Sequence, residues 1–170
     1  GRSSQFDATS VLDDCNISSL YLGVSHPDWK NMDIATRIAN TDDRAPAWAL
    51  YQSALKPHIE SIWGWDEAWQ IAYFEKAFST SATYVLEAGS EFAGYIQLDI
   101  NSRDIYLGML VLAPNVRSRG IGAKLLAEIN RLAHQAGRTM HLRVFRVNGA
   151  AKRFYEREGW QVKAEQDAFF

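Results

Sequence analysis

Apolar and polar positions along the chain follow two different periods, and the switches between them mark its elements. Residues 33–39 alternate around Ile34 and Ile38, which predicts the first strand. Residues 40–43 supply turn and cap chemistry, and Pro46 suits a first helical turn. Trp48, Tyr51 and Leu55 then fall at i, i+3 and i+7, predicting a helix over 47–55 that Lys56-Pro57 ends. Asp66 can cap a second helix reaching Phe78, with Trp69, Ala72, Tyr73 and Lys76 as its periodic positions. Three strands are predicted at 83–87, 92–98 and 105–112, with turns at Ala88-Gly89-Ser90 and Asn101-Ser102. A helix over 120–136 presents Ile121, Leu125, Leu126, Ile129 and Leu132, and Gly137 stops it. A strand over 139–147 leads to Asn148, which can cap a helix over 149–158 carrying Ala151, Phe154 and Tyr155 on one face. Gly159 holds the expected stop, and 161–169 can return as an antiparallel strand.

The first 31 residues pattern differently: they are rich in Ser and Asp and hold one short apolar run, Leu20-Tyr21-Leu22. The expected division is therefore an N-terminal extension over 1–31 and a domain over 32–170 that starts near Met32. The extension is either an appended arm, native or left by tag processing, or an extra element packed on the domain. At 170 residues, 47% hydrophobic and 22% charged, the chain suits one soluble α/β domain with a single core. A net charge of −2 gives no basic face for nucleic acid. No apolar run is long enough for a membrane span, and the N-terminus lacks the apolar core of a signal peptide. The single cysteine, Cys15, excludes an internal disulfide and fits a reducing compartment, so a cytoplasmic protein is expected. His26, His58, His134 and His141 show no ligand spacing, and no metal is expected.

Candidate chemistry centres on the turn after the strand at 105–112. Pro114 is followed by Arg117, Ser118, Arg119, Gly120, Ile121, Gly122 and Ala123, which open a helix. Two glycines let a ligand backbone approach, the helix N-terminus favours an anion, and two arginines add charge. The turn is neither a P-loop, since Lys124 is not followed by Ser or Thr, nor a dinucleotide fingerprint, since Leu125 holds the third glycine's place. The R-x-x-G-x-G arrangement resembles the acetyl-CoA loop of the GNAT superfamily of N-acyltransferases. Leu142, Val144, Asn148, Ala151, Tyr155, Gly159 and Trp160 match the superfamily's downstream pattern in order.

The resemblance implies a mostly antiparallel sheet, splayed at the acetyl-CoA site, with helices on both faces. It implies acetyl-CoA as acyl donor and a primary amine of a small molecule or peptide as acceptor, joined by direct attack in a ternary complex; a homodimer would be compatible with it. The pyrophosphate would rest on backbone N–H groups of residues 117–123. Backbone N–H groups of Leu110, Val111 and Leu112 would polarise the thioester carbonyl. Tyr155 would be the general acid, because a phenol of pKa about 10 keeps its proton at neutral pH. Asn148 would cap its helix alone, or cap it and also contact the pantetheine arm.

The general base stays open. The place of the Glu carried by many relatives is Tyr106 here, and Asp99, Asp104, Glu60, Asp66, His58, a water or an already neutral amine are the alternatives. That missing Glu keeps a second reading alive, a non-catalytic acyl-CoA-binding module. For the acceptor side, Trp63 and Trp65 with Glu60 and Asp66 form a candidate cage for a cationic amine, or else the two indoles plug the core between the first two helices.

Overall fold

A computed structural model describes residues 21–26, 29–117, 120–144 and 147–163, with side chains from Ile34 onward. Six strands lie side by side in chain order: β1 (Tyr21–His26), β2 (Trp29–Ile38), β3 (Ala82–Ala88), β4 (Glu91–Ile100), β5 (Asp104–Leu112) and β6 (Thr139–Leu142). Every pair is antiparallel except β5 with β6. A parallel pair needs a long crossover, and α3 (Ile121–Gln135) supplies it. The other helices are α1 (Arg44–Ile62), α2 (Glu67–Thr80) and α4 (Gly149–Arg157).

The sheet separates two apolar layers. On one face Ile121, Leu125, Leu126, Ile129 and Ala133 of α3 pack on Ile34, Leu86, Ile96, Leu98, Ile105 and Leu107, with Phe154 and Tyr155 of α4 at the edge. On the other, Ala47, Leu50, Tyr51 and Ile59 of α1 and Phe74 of α2 pack on Tyr95, Met109 and Val111. Helices therefore cover both faces of one open, mostly antiparallel sheet, as the resemblance implies. Each fully buried Leu or Ile contributes roughly 1.5–3 kcal/mol.

Several elements depart from the sequence-based expectation. The helix expected over 47–55 runs from Arg44 to Ile62, straight through Pro57. Pro57 and Ser53 both lie on the solvent side, where water can satisfy the carbonyl whose N–H partner proline removes. In α2 the expected stripe is on the wrong side: Gln70 and Phe74 are buried, whereas Trp69 and Tyr73 are 59% and 52% exposed. The expected first strand is longer than 33–39, and β1 pairs with it in a hairpin, so Met32 falls inside β2. Strand β6 stops at Leu142 instead of continuing to 147. Most of the last expected strand, at 161–169, lies outside the described residues, as do residues 1–20.

Turn chemistry holds as predicted where caps were expected. Asp66 accepts from the Trp69 N–H at 3.0 Å, and Asn148 accepts from the Ala151 N–H at 3.1 Å. At the start of α1, Arg37 grips Asp43 through two bonds of 2.7 Å and also reaches Glu87. Hydrogen bonding from that guanidinium holds the Asp43 carboxyl below the usual carboxylate range.

Candidate active site

The site begins with one extra residue in β5. Pairing with β4 steps from Gln97↔Met109 to Leu98↔Leu107, so Gly108 has no partner and forms a bulge. The bulge changes which side chains face which layer. Ile105 and Leu107 point toward α3, and beyond Gly108 it is Leu110 and Leu112 that do, while Met109 and Val111 face α1. The parallel ladder to β6 ends at Leu107↔Leu142, immediately before the bulge. A bulged strand bends, and β5 leaves its neighbour here.

The gap exposes particular peptide groups. The Ala113 N–H donates to the Ala93 carbonyl of β4 at 2.8 Å. Because successive residues turn their peptide groups to opposite edges, Val111 also faces β4, and Leu110 and Leu112 face the gap. Val111 is buried, and its N–H is directed away from the place the resemblance assigns it. The Leu112 carbonyl accepts from Arg117 Nε at 2.8 Å, which fixes the arginine beside the end of β5.

Gly120, at φ +73°, is the N-cap of α3 and offers no side-chain cap to the helix. The Lys124 N–H bonds back to Gly120 at 3.0 Å, leaving the N–H groups of Ile121, Gly122 and Ala123 without intrahelical acceptors. A Cβ on Gly122 would lie 3.7 Å from both Leu112 and Phe154, so the first turn of α3 sits between β5 and α4. Ser118 and Arg119 lie outside the described residues.

Beyond the gap opens a cavity of about 760 Å³. Its sheet side is Tyr106 to Leu110 with Leu142 to Val144; α4 adds Asn148, Ala151 and Tyr155; α1 and α2 close it with Tyr51, Leu55, Ile59, Trp63, Asp66, Trp69 and Tyr73. A buried bond of 2.7 Å from the Tyr51 hydroxyl to Gln70 ties the two helices together at its wall. Tyr155 packs edge-on against Phe154 and Trp160, with centroids 5.2 and 6.0 Å away. Burial pushes its phenol up to about 12, so the group holds its proton across the whole neutral and mildly basic range. Burial raises the Tyr106 phenol as well, partly opposed by the nearby Arg143 charge.

Of the five side chains weighed as general base, Asp66 is the one that lines the cavity. Glu60 is exposed outside it, Asp99 accepts from the Ser81 hydroxyl at 2.7 Å, and Asp104 faces His141 at 3.0 Å. The two candidate indoles part company. Trp63 is 60% exposed at the cavity, whereas Trp65 packs on Trp48 and Tyr51 under the Lys56 ammonium. Gly64, at φ +79°, is the turn that sends them apart. Trp69 and Tyr73 reach the cavity although their spacing reads equally as a core stripe; Gly108 is signalled by an isolated glycine inside an apolar strand. Among the described residues no cluster of three metal-ligating side chains occurs, and no helix is long and apolar enough to cross a membrane.

Comparison with known proteins places this arrangement. No curated protein sequence matches the chain. The solved structures that share the fold include the following three. The PaiA N-acetyltransferase from Thermoplasma acidophilum, in complex with coenzyme A, is 21% identical with a TM-score of 0.64, over 81% of this chain and 95% of that one. Arabidopsis thaliana Naa50, in complex with the bisubstrate analogue CoA-Ac-MVNAL, is 16% identical with a TM-score of 0.57, over 77% and 85%. AAC(6')-Iy, in complex with the bisubstrate analogue CoA-S-monomethyl-acetylneamine, is 15% identical with a TM-score of 0.55, over 78% and 94%. The family model for the acetyltransferase (GNAT) domain matches residues 79–162, which take in β4, the bulged β5, the first turn of α3 and Tyr155. With its motifs, its splayed sheet and this match in agreement, residues 79–162 form an acetyltransferase domain of the GNAT superfamily.

Proposed function

We propose that this protein is an N-acetyltransferase that moves an acetyl group from acetyl-CoA to a primary amine of a small molecule or peptide, by direct attack in a ternary complex. The observation that carries the proposal is the gap after Leu107↔Leu142, where Leu110 and Leu112 turn their peptide groups to the open edge of β5 and Leu110 lines a cavity together with Tyr155. The residues present fit acetyl-CoA: an uncapped helix start with no Cβ at Gly120 suits a pyrophosphate, and an open strand edge suits an amide-bearing arm. Bound there, acetyl-CoA supplies a thioester carbonyl open to attack and a thiolate leaving group.

The chain's own groups meet the remaining demands. N–H groups of Ile121, Gly122 and Ala123, with Arg117 beside them, hold the anionic end. The Leu110 and Leu112 N–H groups are preorganised donors for a developing oxyanion. Tyr155 keeps a proton to deliver to a departing sulfur. The α1–α2 wall receives the amine, and Asp66 is the carboxylate in reach of its charge. Asn148 caps α4 and presents the rest of its amide to the cavity. A reducing, acetyl-CoA-supplied compartment such as the cytoplasm suits this chemistry. Incubation with acetyl-CoA and a panel of primary amines should release CoA in step with N-acetylated product; CoA release without amine modification would contradict it.

The cradle has its own test. Gly120→Val should weaken acetyl-CoA binding by about tenfold or more, through lost hydrogen bonds to the helix start. Gly137→Val is the control, because Gly137 sits at the other end of α3 at φ +71° and, like Gly120, has nothing within 4 Å of the point where a Cβ would stand. Both variants should lose similar stability, about 1–2 kcal/mol from the left-handed backbone. Calorimetry showing equal acetyl-CoA affinity in the two would remove the cradle assignment.

A further inference from the structure

The α1–α2 wall exposes aromatic surface that the fold does not need. Trp69 and Tyr73 stack with centroids 5.3 Å apart and planes 8° from parallel, yet both remain more than half exposed. Trp63 stands beside them at the same cavity, and Tyr51 and Tyr106 add two more rings to its lining. Single exposed aromatics are ordinary on protein surfaces, but a contiguous aromatic wall inside a cavity marks a place for a ligand. The charge inventory is equally plain. Among the described residues that line this cavity, Asp66 is the one carboxylate and Arg143 the one cation. One oxygen of Asp66 is already engaged by the Trp69 N–H.

Resting on the amine-acetylation reading above, we infer that the acceptor is a primary amine with one cationic centre on a flat aromatic body, an arylalkylamine in chemical class. The wall of Trp63, Trp69 and Tyr73 offers ring faces to such a body and to its ammonium before deprotonation, and Asp66 offers one countercharge. A polyamine or an aminoglycoside fits poorly. Each further ammonium would have to leave water with no second carboxylate among the described lining residues to meet it.

The same chemistry could be presented by a free amine or by a peptide whose first residue is aromatic, and the experiment separates these sources. Initial rates with saturating acetyl-CoA are measured for phenethylamine, tryptamine, a tripeptide amide beginning with Trp, spermidine and kanamycin. The aromatic monoamines should exceed spermidine and kanamycin in kcat/KM by about tenfold or more, with the tripeptide below tryptamine. Trp69→Leu/Tyr73→Leu, made on an exposed pair, should raise the KM for tryptamine by about tenfold, with acetyl-CoA affinity by calorimetry within about twofold of the parent. A preference for spermidine or kanamycin, a tripeptide faster than tryptamine, no turnover of any aromatic amine, or an unchanged tryptamine KM in the double variant would each overturn the inference. Loss of acetyl-CoA binding by the unaltered protein is a different failure, and it would fall on the proposed function itself.

Discussion

Tyr155→Phe is expected to lower kcat by about 10²–10⁴-fold while acetyl-CoA binds as tightly as before, the usual worth of a positioned general acid. The phenol sits on α4, anchored on one side by Phe154 and Trp160, with its body half-buried at the wall of the cavity. Phe keeps those ring contacts and removes one oxygen, so the fold and the donor site should be spared. The pH profile sharpens the test. An unperturbed tyrosine ionises near 10, and burial moves this one up to about 12. A raised acid pKa means the proton is present below that value and lost only above it. The rate should climb with pH as the acceptor amine is deprotonated, with no fall near pH 10 from loss of the acid. A decrease of less than about threefold in the variant would make Tyr155 a packing residue.

The second large effect concerns the strand pair that aims the site. Gly94 of β4 passes so close to β5 that a Cβ would lie 2.3 Å from the Val111 carbonyl oxygen. That oxygen belongs to the backbone and cannot swing aside as a side chain could. Gly94→Ala should therefore cost about 3 kcal/mol of stability, at the upper end of overpacking, and Gly94→Val more. Gly89→Ala is the comparison: the turn glycine has φ +64° but nothing within 4 Å, so only the left-handed backbone penalty of roughly 1–2 kcal/mol applies. Urea unfolding midpoints of the two variants measure the difference. Equal losses would mean that β4 and β5 separate at little cost, and that Leu110 and Leu112 are not held at the gap by this contact.

Periodicity made much of this architecture readable in advance. The α3 stripe from Ile121 to Ile129 has one apolar side and one possible partner, so period and position coincide, while β3 to β5 stand out as apolar runs bounded by turn residues. The helix start at Gly120 and the Asn148 cap were equally legible, because both depend on local chemistry. The acceptor side was not. Helix α2 carries rings on two faces, Trp69 and Tyr73 on one, Phe74 and Phe78 on the other, and spacing alone cannot say which meets the sheet. Only the packing of Phe74 on Trp48 and Tyr51 decides it, a contact between two helices. The continuation of α1 through Pro57 to Ile62 fixes where Gly64 turns, and hence why Trp63 faces the cavity while Trp65 faces the core. The bulge at Gly108 is a tertiary fact of register, and with it the division of labour between Leu110 and Leu112 on one side and Val111 on the other.

Acetyl transfer to nitrogen shows itself in the two products of one reaction. The protein is mixed with acetyl-CoA and tryptamine, and free thiol and N-acetylated amine are quantified together over time. The two should rise in equal amounts, and both should slow together in Tyr155→Phe. Tight acetyl-CoA binding with neither product formed, for tryptamine and for every other primary amine of the panel, would contradict it and leave a binding module in place of an enzyme.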